Sequence, residues 1–292
     1  MQSPLPYYVG LAQWHHPDWY PDQLHPSEAL ETYAQHFSSV EGNSSFYGLP
    51  SEKSIAQWQE RTPSQFRFCF KFPQSITHQA LLQDSDRPLE EFLNRVAPLQ
   101  ERLGVLWLQM SSQFSPMHLP QLAHFLERLP KAFTYGIELR HLDFFKKDHN
   151  EQALNRLLIE HGVNRVCFDT RSLFAYPKDD EITQEALKAK PRMPVHVLAT
   201  GNAPLLRFIT PLDRSLGEPY LTPWVKKCAD WILEGRTPYL FFHTPDNKEA
   251  PELALLFIQQ LNEALVQSGQ YEAASLPLPT LWEKDSRQNA LF

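Results

Sequence analysis

Only three cysteines, Cys69, Cys167 and Cys228, occur in the 292 residues. An odd, scattered set excludes a disulfide framework and lacks metal-ligand spacing. No stretch approaches the ~20 apolar residues of a membrane span. The opening residues, Met1-Gln-Ser-Pro-Leu-Pro-Tyr-Tyr8, lack the charged region and apolar core of a secretory signal. A cytoplasmic protein with no membrane attachment is therefore expected. A basic surplus is also missing. The net charge is −7, which excludes broad attraction to nucleic acid or anionic lipid but not a local basic pocket. No Gly-x-Ser-x-Gly elbow, His-x-His pair or His-Glu-x-x-His motif appears.

What is present is a steady alternation of short apolar runs and helical patterns. The strand candidates are 7–12, 39–43, 66–72, 105–110, 134–140, 165–169, 205–209 and 239–243. Helical patterns stand between them. One starts at a Ser27 cap, one at Ser51, one near Pro120, one at Thr222-Pro223 and one near Pro251. Gly162 and Gly235 read as stops. The segment after the sixth strand is the least regular, with a short helix over 185–190. Strands alternating with helices imply parallel pairing through crossovers. Eight such units in under 300 residues predict an α/β fold, a single (β/α)8 TIM-type barrel over 1–270, followed by an irregular tail over 271–292. The rival, a doubly wound open sheet, usually carries a Gly-rich phosphate turn after its first strand. Gly10-Leu-Ala-Gln-Trp14 is not one.

Strand side chains alternate faces with period two. Phe66, Phe68, Phe70 and Phe72 are expected to face the helices, which turns Arg67, Cys69 and Lys71 into the barrel. The same parity turns Glu41, Asn43, Glu138, Arg140, Cys167, Asp169 and Arg207 inward, with Gln109 and His243 at the ends of their strands. Lone buried ions cost several kcal/mol, so this set must pair or meet a ligand. It forms either a polar plug or a pocket. The pocket is favoured, because sites of this fold lie at the C-terminal strand ends.

Several segments resemble the YecE family of bacterial proteins, a domain of unknown function. They are Gly10-Leu-Ala-Gln-Trp14, Tyr33-Ala-x-x-Phe37, Val40-Glu-Gly-Asn-Ser-Ser-Phe-Tyr47-x-Leu-Pro50 and Phe66-Arg-Phe-Cys-Phe-Lys-Phe-Pro73. The likeness continues through Ile76-Thr-His78, Leu108-Gln109, Glu138-Leu-Arg-His141, Phe241-Phe-His-Thr-Pro-Asp-Asn247 and Ala250-Pro-Glu-Leu253. It spans nearly the whole chain. The resemblance implies a TIM-type barrel and supplies no reaction. Distant members carry Asn-Asn at His243-Thr244 and Ser-Gly-Trp at Ala12-Gln-Trp14, so this chain resembles the narrower YecE-proper branch.

Three chemistries fit these residues. In the first, a metal-independent hydrolase or lyase acts on a phosphorylated or sugar-containing anion, or on a nucleotide. Lys71, Arg140 and Arg207 hold the anion, while Glu41, Glu138, Asp169 and His243 do acid–base work. Trp14, Asn43, Tyr47, His78, Gln109, His141 and Asn247 complete the binding set, with Trp14 and Tyr47 either stacking on a ligand or sealing the barrel. The second is a divalent-metal site, as in a phosphoesterase or isomerase, from Glu41, Glu138, Asp169, His78, His141 and His243. Nearby cations oppose it. The third is non-catalytic: Gln288-Asn-Ala-Leu291-Phe292 resembles the peptide by which replication and repair proteins dock on the DNA sliding clamp. Cys69 and Cys167 are expected to be inert.

Overall fold

The computed structural model describes residues 5–20, 24–25, 27–175, 180–279 and 281–282. Eight parallel strands close a barrel in chain order. They are β1 (Tyr8–Leu11), β2 (Ser39–Gly42), β3 (Arg67–Lys71), β4 (Leu103–Gln109), β5 (Thr134–Glu138), β6 (Asn164–Asp169), β7 (Leu205–Ile209) and β8 (Tyr239–His243). β1 pairs with both β2 and β8, which completes the closure. Each expected strand is present, within a few residues of its expected ends.

The helices follow the local signals with two exceptions. Ser51 caps Glu52–Arg61 by accepting from the Ser54 amide at 3.0 Å. Helix His149–Glu160 is capped by Asp148 and followed by Gly162 at φ 64, a left-handed turn that glycine adopts without steric cost. Ser27 is not a cap: its hydroxyl pairs with His25 Nδ1 at 2.7 Å, and helix Ala29–His36 starts behind Glu28. Helix Glu218–Leu233 starts one turn before Thr222, so Pro223 falls inside it. This proline removes the i→i−4 bond to the Pro219 carbonyl, a cost that the helix's buried face has to offset. The irregular segment holds helix Glu181–Ala189, longer than expected, with Lys190 at its C-terminal end.

The parity expected of β3 holds. Phe68 and Phe70 stack on Trp58 of helix Glu52–Arg61, and Phe72 meets Phe92 at 4.9 Å between ring centres. Cys69 turns inward into an apolar floor with Val105, Trp107, Val166, Leu205, Tyr239 and Phe241. Burial pushes its thiol up to about 12, so it is an inert interior group. Leu276 and Trp282 also pack on the barrel's outer core, and the Trp282 ring is tilted against Tyr20 with centres 4.7 Å apart. Among the described residues, no helix is long and apolar enough to cross a membrane.

Gly10 fixes how closely β1 approaches β2. A Cβ there would lie 2.0 Å from the Ser39 carbonyl oxygen. Gly10→Ala is expected to force the pair apart and cost about 3 kcal/mol, read as a lower midpoint in urea unfolding. An unchanged midpoint would show that the strands can separate without penalty.

Candidate functional site

At the C-terminal strand ends the interior changes from apolar to ionic. Arg207 on β7 lies across the barrel from β2. Its Nε and Nη2 donate to the two Glu41 oxygens at 2.8 and 2.7 Å. Its Nη1 donates to Glu138 Oε2 of β5 at 2.7 Å. Arg140 donates to the other Glu138 oxygen, through Nε at 2.6 Å and also through Nη2. Lys71 Nζ stands 3.5 Å from Glu41 Oε1. His243 Nε2 is 3.0 Å from Glu41 Oε2.

These contacts set the charge states. Burial alone would raise the Glu41 carboxyl, but Arg207, His243 and Lys71 outweigh it and hold it well below the usual range. Glu138 is held at about 2 in the same way, burial being opposed by Arg140, Arg207 and Lys71. Burial lowers Lys71 to about 7, with Arg207 adding to the effect and Glu41 resisting it. Burial also lowers His243 to about 4, against the pull of Glu41. The imidazole is therefore neutral near pH 7. Glu41 has no proton to give, so Nε2–H of His243 is the donor and Nδ1 keeps its lone pair.

Above this network opens a cavity of about 300 Å³. Lys71, Lys190, Arg207, His243, Gln109 and Asn43 supply its polar wall. Phe46, Tyr47, Ala12, Gln13, Thr244, Pro245 and Asn247 complete it. Two carboxylates stand against two guanidiniums and two ammonium groups around this mouth. Lys190 makes no salt bridge among the described residues, and it is lowered by burial and then by Arg207. With Lys71 near 7 and so only partly protonated, the two guanidiniums and Lys190 still leave the mouth with surplus positive charge. Asn247 adopts a left-handed backbone at φ 63, and its buried Oδ1 has no hydrogen-bond partner among the described residues.

Several expectations change. Asp169 does not face in. Phe168 occupies the inward position, with the Arg140 and Arg207 guanidiniums 4.7 and 5.0 Å from its ring centre. Asp169 turns to the helix layer, where it accepts from Trp224 Nε1 at 2.7 Å and from Arg171. Cys167 turns outward with it, toward the carbonyls of His196 and Leu198. Apolar residues suit both faces of a barrel strand, and here the aromatic ring serves as a platform for two cations. Trp14 packs edge-on against Trp58 at 5.5 Å and does not border the cavity. His141 accepts from the Asp143 amide at 3.2 Å as a helix cap. His78, in the π-helical turn Ser75–Gln79, stands behind Phe46 at 5.0 Å. Arg140 lies beside the cavity rather than on its wall. Lys190 joins the wall from a helix end, a position that strand parity does not address.

The six proposed metal ligands do not converge. Among the described residues, no three His, Cys, Asp or Glu side chains form a metal-holding group. The clamp-like residues Gln288, Leu291 and Phe292 lie outside the described residues.

The fold and mouth together define a (β/α)8 barrel protein with a polar, cation-rich pocket. The chain belongs to the family described as "Protein of unknown function DUF72", whose match spans residues 8–276. It is 44% identical over 262 residues to UPF0759 protein YecE of Escherichia coli K12, covering 90% of this chain and 95% of that one. UPF0759 protein YunF of Bacillus subtilis is 26% identical over 172 residues, 55% of this chain and 60% of its own. A solved DUF72 family protein from Thermotoga maritima superposes with a TM-score of 0.65 at 25% identity, over 87% of this chain and 98% of its own. One from Enterococcus faecalis gives 0.63 at 21% identity, over 89% and 97%, and supports the fold.

Glu138 makes the mouth acid-sensitive. Its folded value lies below the ordinary 4.5, so its contribution is complete above 4.5 and is lost as pH falls toward about 2. Glu138→Gln is expected to cost about 3–5 kcal/mol near pH 7, because two buried guanidiniums lose a partner. In urea unfolding across a pH series, the gap between wild type and variant should narrow below pH 4.5. A gap independent of pH would show that the carboxylate charge is not what stabilises the fold.

Proposed function

We propose that the barrel mouth binds a small hydroxylated anion, phosphorylated or carboxylated, and acts on it without a metal as a hydrolase or lyase. The observation that carries this reading is the surplus charge. Glu41 and Glu138 are taken up by Arg207 and Arg140, which leaves Lys190 on the cavity wall with no salt bridge among the described residues. An ammonium in that position is a point charge suited to phosphate or carboxylate. The unpartnered Asn247 Oδ1 offers an acceptor for a ligand hydroxyl.

Proton transfer shifts away from the carboxylates that the sequence suggests, while His243 keeps its place in the set. Each Glu41 oxygen already meets two donors or cations, and Glu138 is held at about 2, so both are weak bases. Lys71 near 7 is matched to neutral pH, and His243, at about 4, is there a neutral imidazole that can hydrogen-bond and relay a proton. The three free, buried cysteines accord with a cytoplasmic setting.

Thermal melting in inorganic phosphate tests the pocket. At a concentration about a hundredfold above Kd, phosphate should stabilise the wild type by roughly 2.7 kcal/mol, a rise of several degrees. Lys190→Ala should abolish the rise while leaving the melting point without phosphate nearly unchanged. The absence of a rise, or an equal rise in the variant, would mean that the ions form a closed polar plug.

A further inference from the structure

Among the charged groups that the barrel strands carry into the mouth, Lys71 has the loosest attachment. It ends β3, faces inward and is 7% exposed, and it borders the cavity. A structural counter-ion takes short charge-assisted bonds of about 2.7–2.9 Å. Among the described residues Lys71 instead has one carboxylate within ion-pair distance, Glu41 at 3.5 Å, and that carboxylate already holds Arg207 with both oxygens. The Trp107 ring also faces it, with Nζ 5.6 Å from the ring centre. Dry surroundings and an adjacent guanidinium both disfavour the ammonium form, and they draw the group down to about 7. A neutral amine facing a cavity keeps a lone pair that can bond to carbon. The cavity, about 300 Å³, matches the lower end of sites for small ligands.

We propose that Lys71 is a covalent nucleophile that forms an imine with an aldehyde or ketone bearing a phosphate or carboxylate group. This rests on the anion-pocket reading above, with Lys190 as the charge that holds the anionic end. In the first step the Nζ lone pair bonds to the carbonyl carbon. The C=O π pair moves to oxygen, which takes up the proton shed by nitrogen, giving a carbinolamine. In the second step the C–O bond breaks. The oxygen gains the proton that the ammonium gave up to free its lone pair and leaves as water, while the nitrogen lone pair forms the C=N bond. Overall, one lysine ammonium and one carbonyl compound give one iminium and one water, with charge unchanged and no redox partner. Glu41, 3.5 Å from Nζ, then faces the iminium as its counter-charge. His243, on the same cavity wall, is the neutral imidazole whose Nδ1 would relay the protons.

The test is reductive trapping of the full chain at pH 7 with sodium cyanoborohydride, using pyruvate and dihydroxyacetone phosphate as separate probes. Intact mass and peptide mapping read the result. One reduced adduct per chain is expected on Lys71, formed on the order of a hundredfold faster than on surface lysines, whose neutral fraction at pH 7 is far smaller. Lys71→Arg should lose it, and Lys190→Ala should slow it. If a probe raises the wild-type melting temperature through Lys190 but Lys71 labels no faster than surface lysines, the imine is overturned and the anion pocket stands. If neither probe nor phosphate produces a Lys190-dependent rise, the pocket and the imine fall together.

Discussion

The Arg207 guanidinium organises the barrel mouth. Two carboxylates buried on opposite sides of the barrel would each cost several kcal/mol without a partner. Arg207 reaches both, through three N–H groups at 2.7–2.8 Å. Its planar fork fits Glu41 with two parallel bonds, a geometry that an ammonium does not reproduce. Phe168, its partner in register on β6, holds its ring 5.0 Å from the guanidinium. This one residue therefore joins β7, β2 and β5 above the apolar floor.

The same clamp decides which groups remain free for chemistry. Once Arg207 and Arg140 have taken the carboxylates, Glu41 and Glu138 are counter-charges held acidic by their partners. Lys71 and Lys190 are left with too little negative charge near them. Burial then lowers both, and Lys71 reaches the neutral range. An arrangement that begins as compensation for buried ions thus ends with an unsatisfied positive cavity. Arg207 itself is a poor probe of ligand binding, because removing it strands two carboxylates and disturbs the fold as well.

The barrel was legible in the sequence because alternating strand and helix patterns, eight times over, leave few closed topologies. Most of the mouth was legible too. In β2, β3, β5 and β7 a bulky apolar residue faces the helices, so Glu41, Lys71, Glu138 and Arg207 were correctly turned inward. β6 defeated the same rule. Val166 and Phe168 are apolar, yet they face the interior, where a ring can carry two guanidiniums; Asp169 outside is satisfied by Trp224 and Arg171. Trp14 illustrates a second limit, since an aromatic near a strand end packs equally well on a neighbouring helix. Lys190 was invisible for a third reason. It reaches the cavity from the end of helix Glu181–Ala189, in the segment with the weakest periodicity. Kinship to YecE and the DUF72 structures accounts for the shared barrel and leaves the chemistry of the mouth to be argued from these side chains.

The most direct measurement is an NMR titration of the protein with 13C at the lysine ε-carbons. If the clamp leaves Lys71 buried beside a guanidinium with a shared carboxylate, one lysine resonance should titrate near pH 7 and disappear in Lys71→Arg. A spectrum in which every lysine, Lys71 included, titrates in the ordinary range near 10.5 would contradict the account.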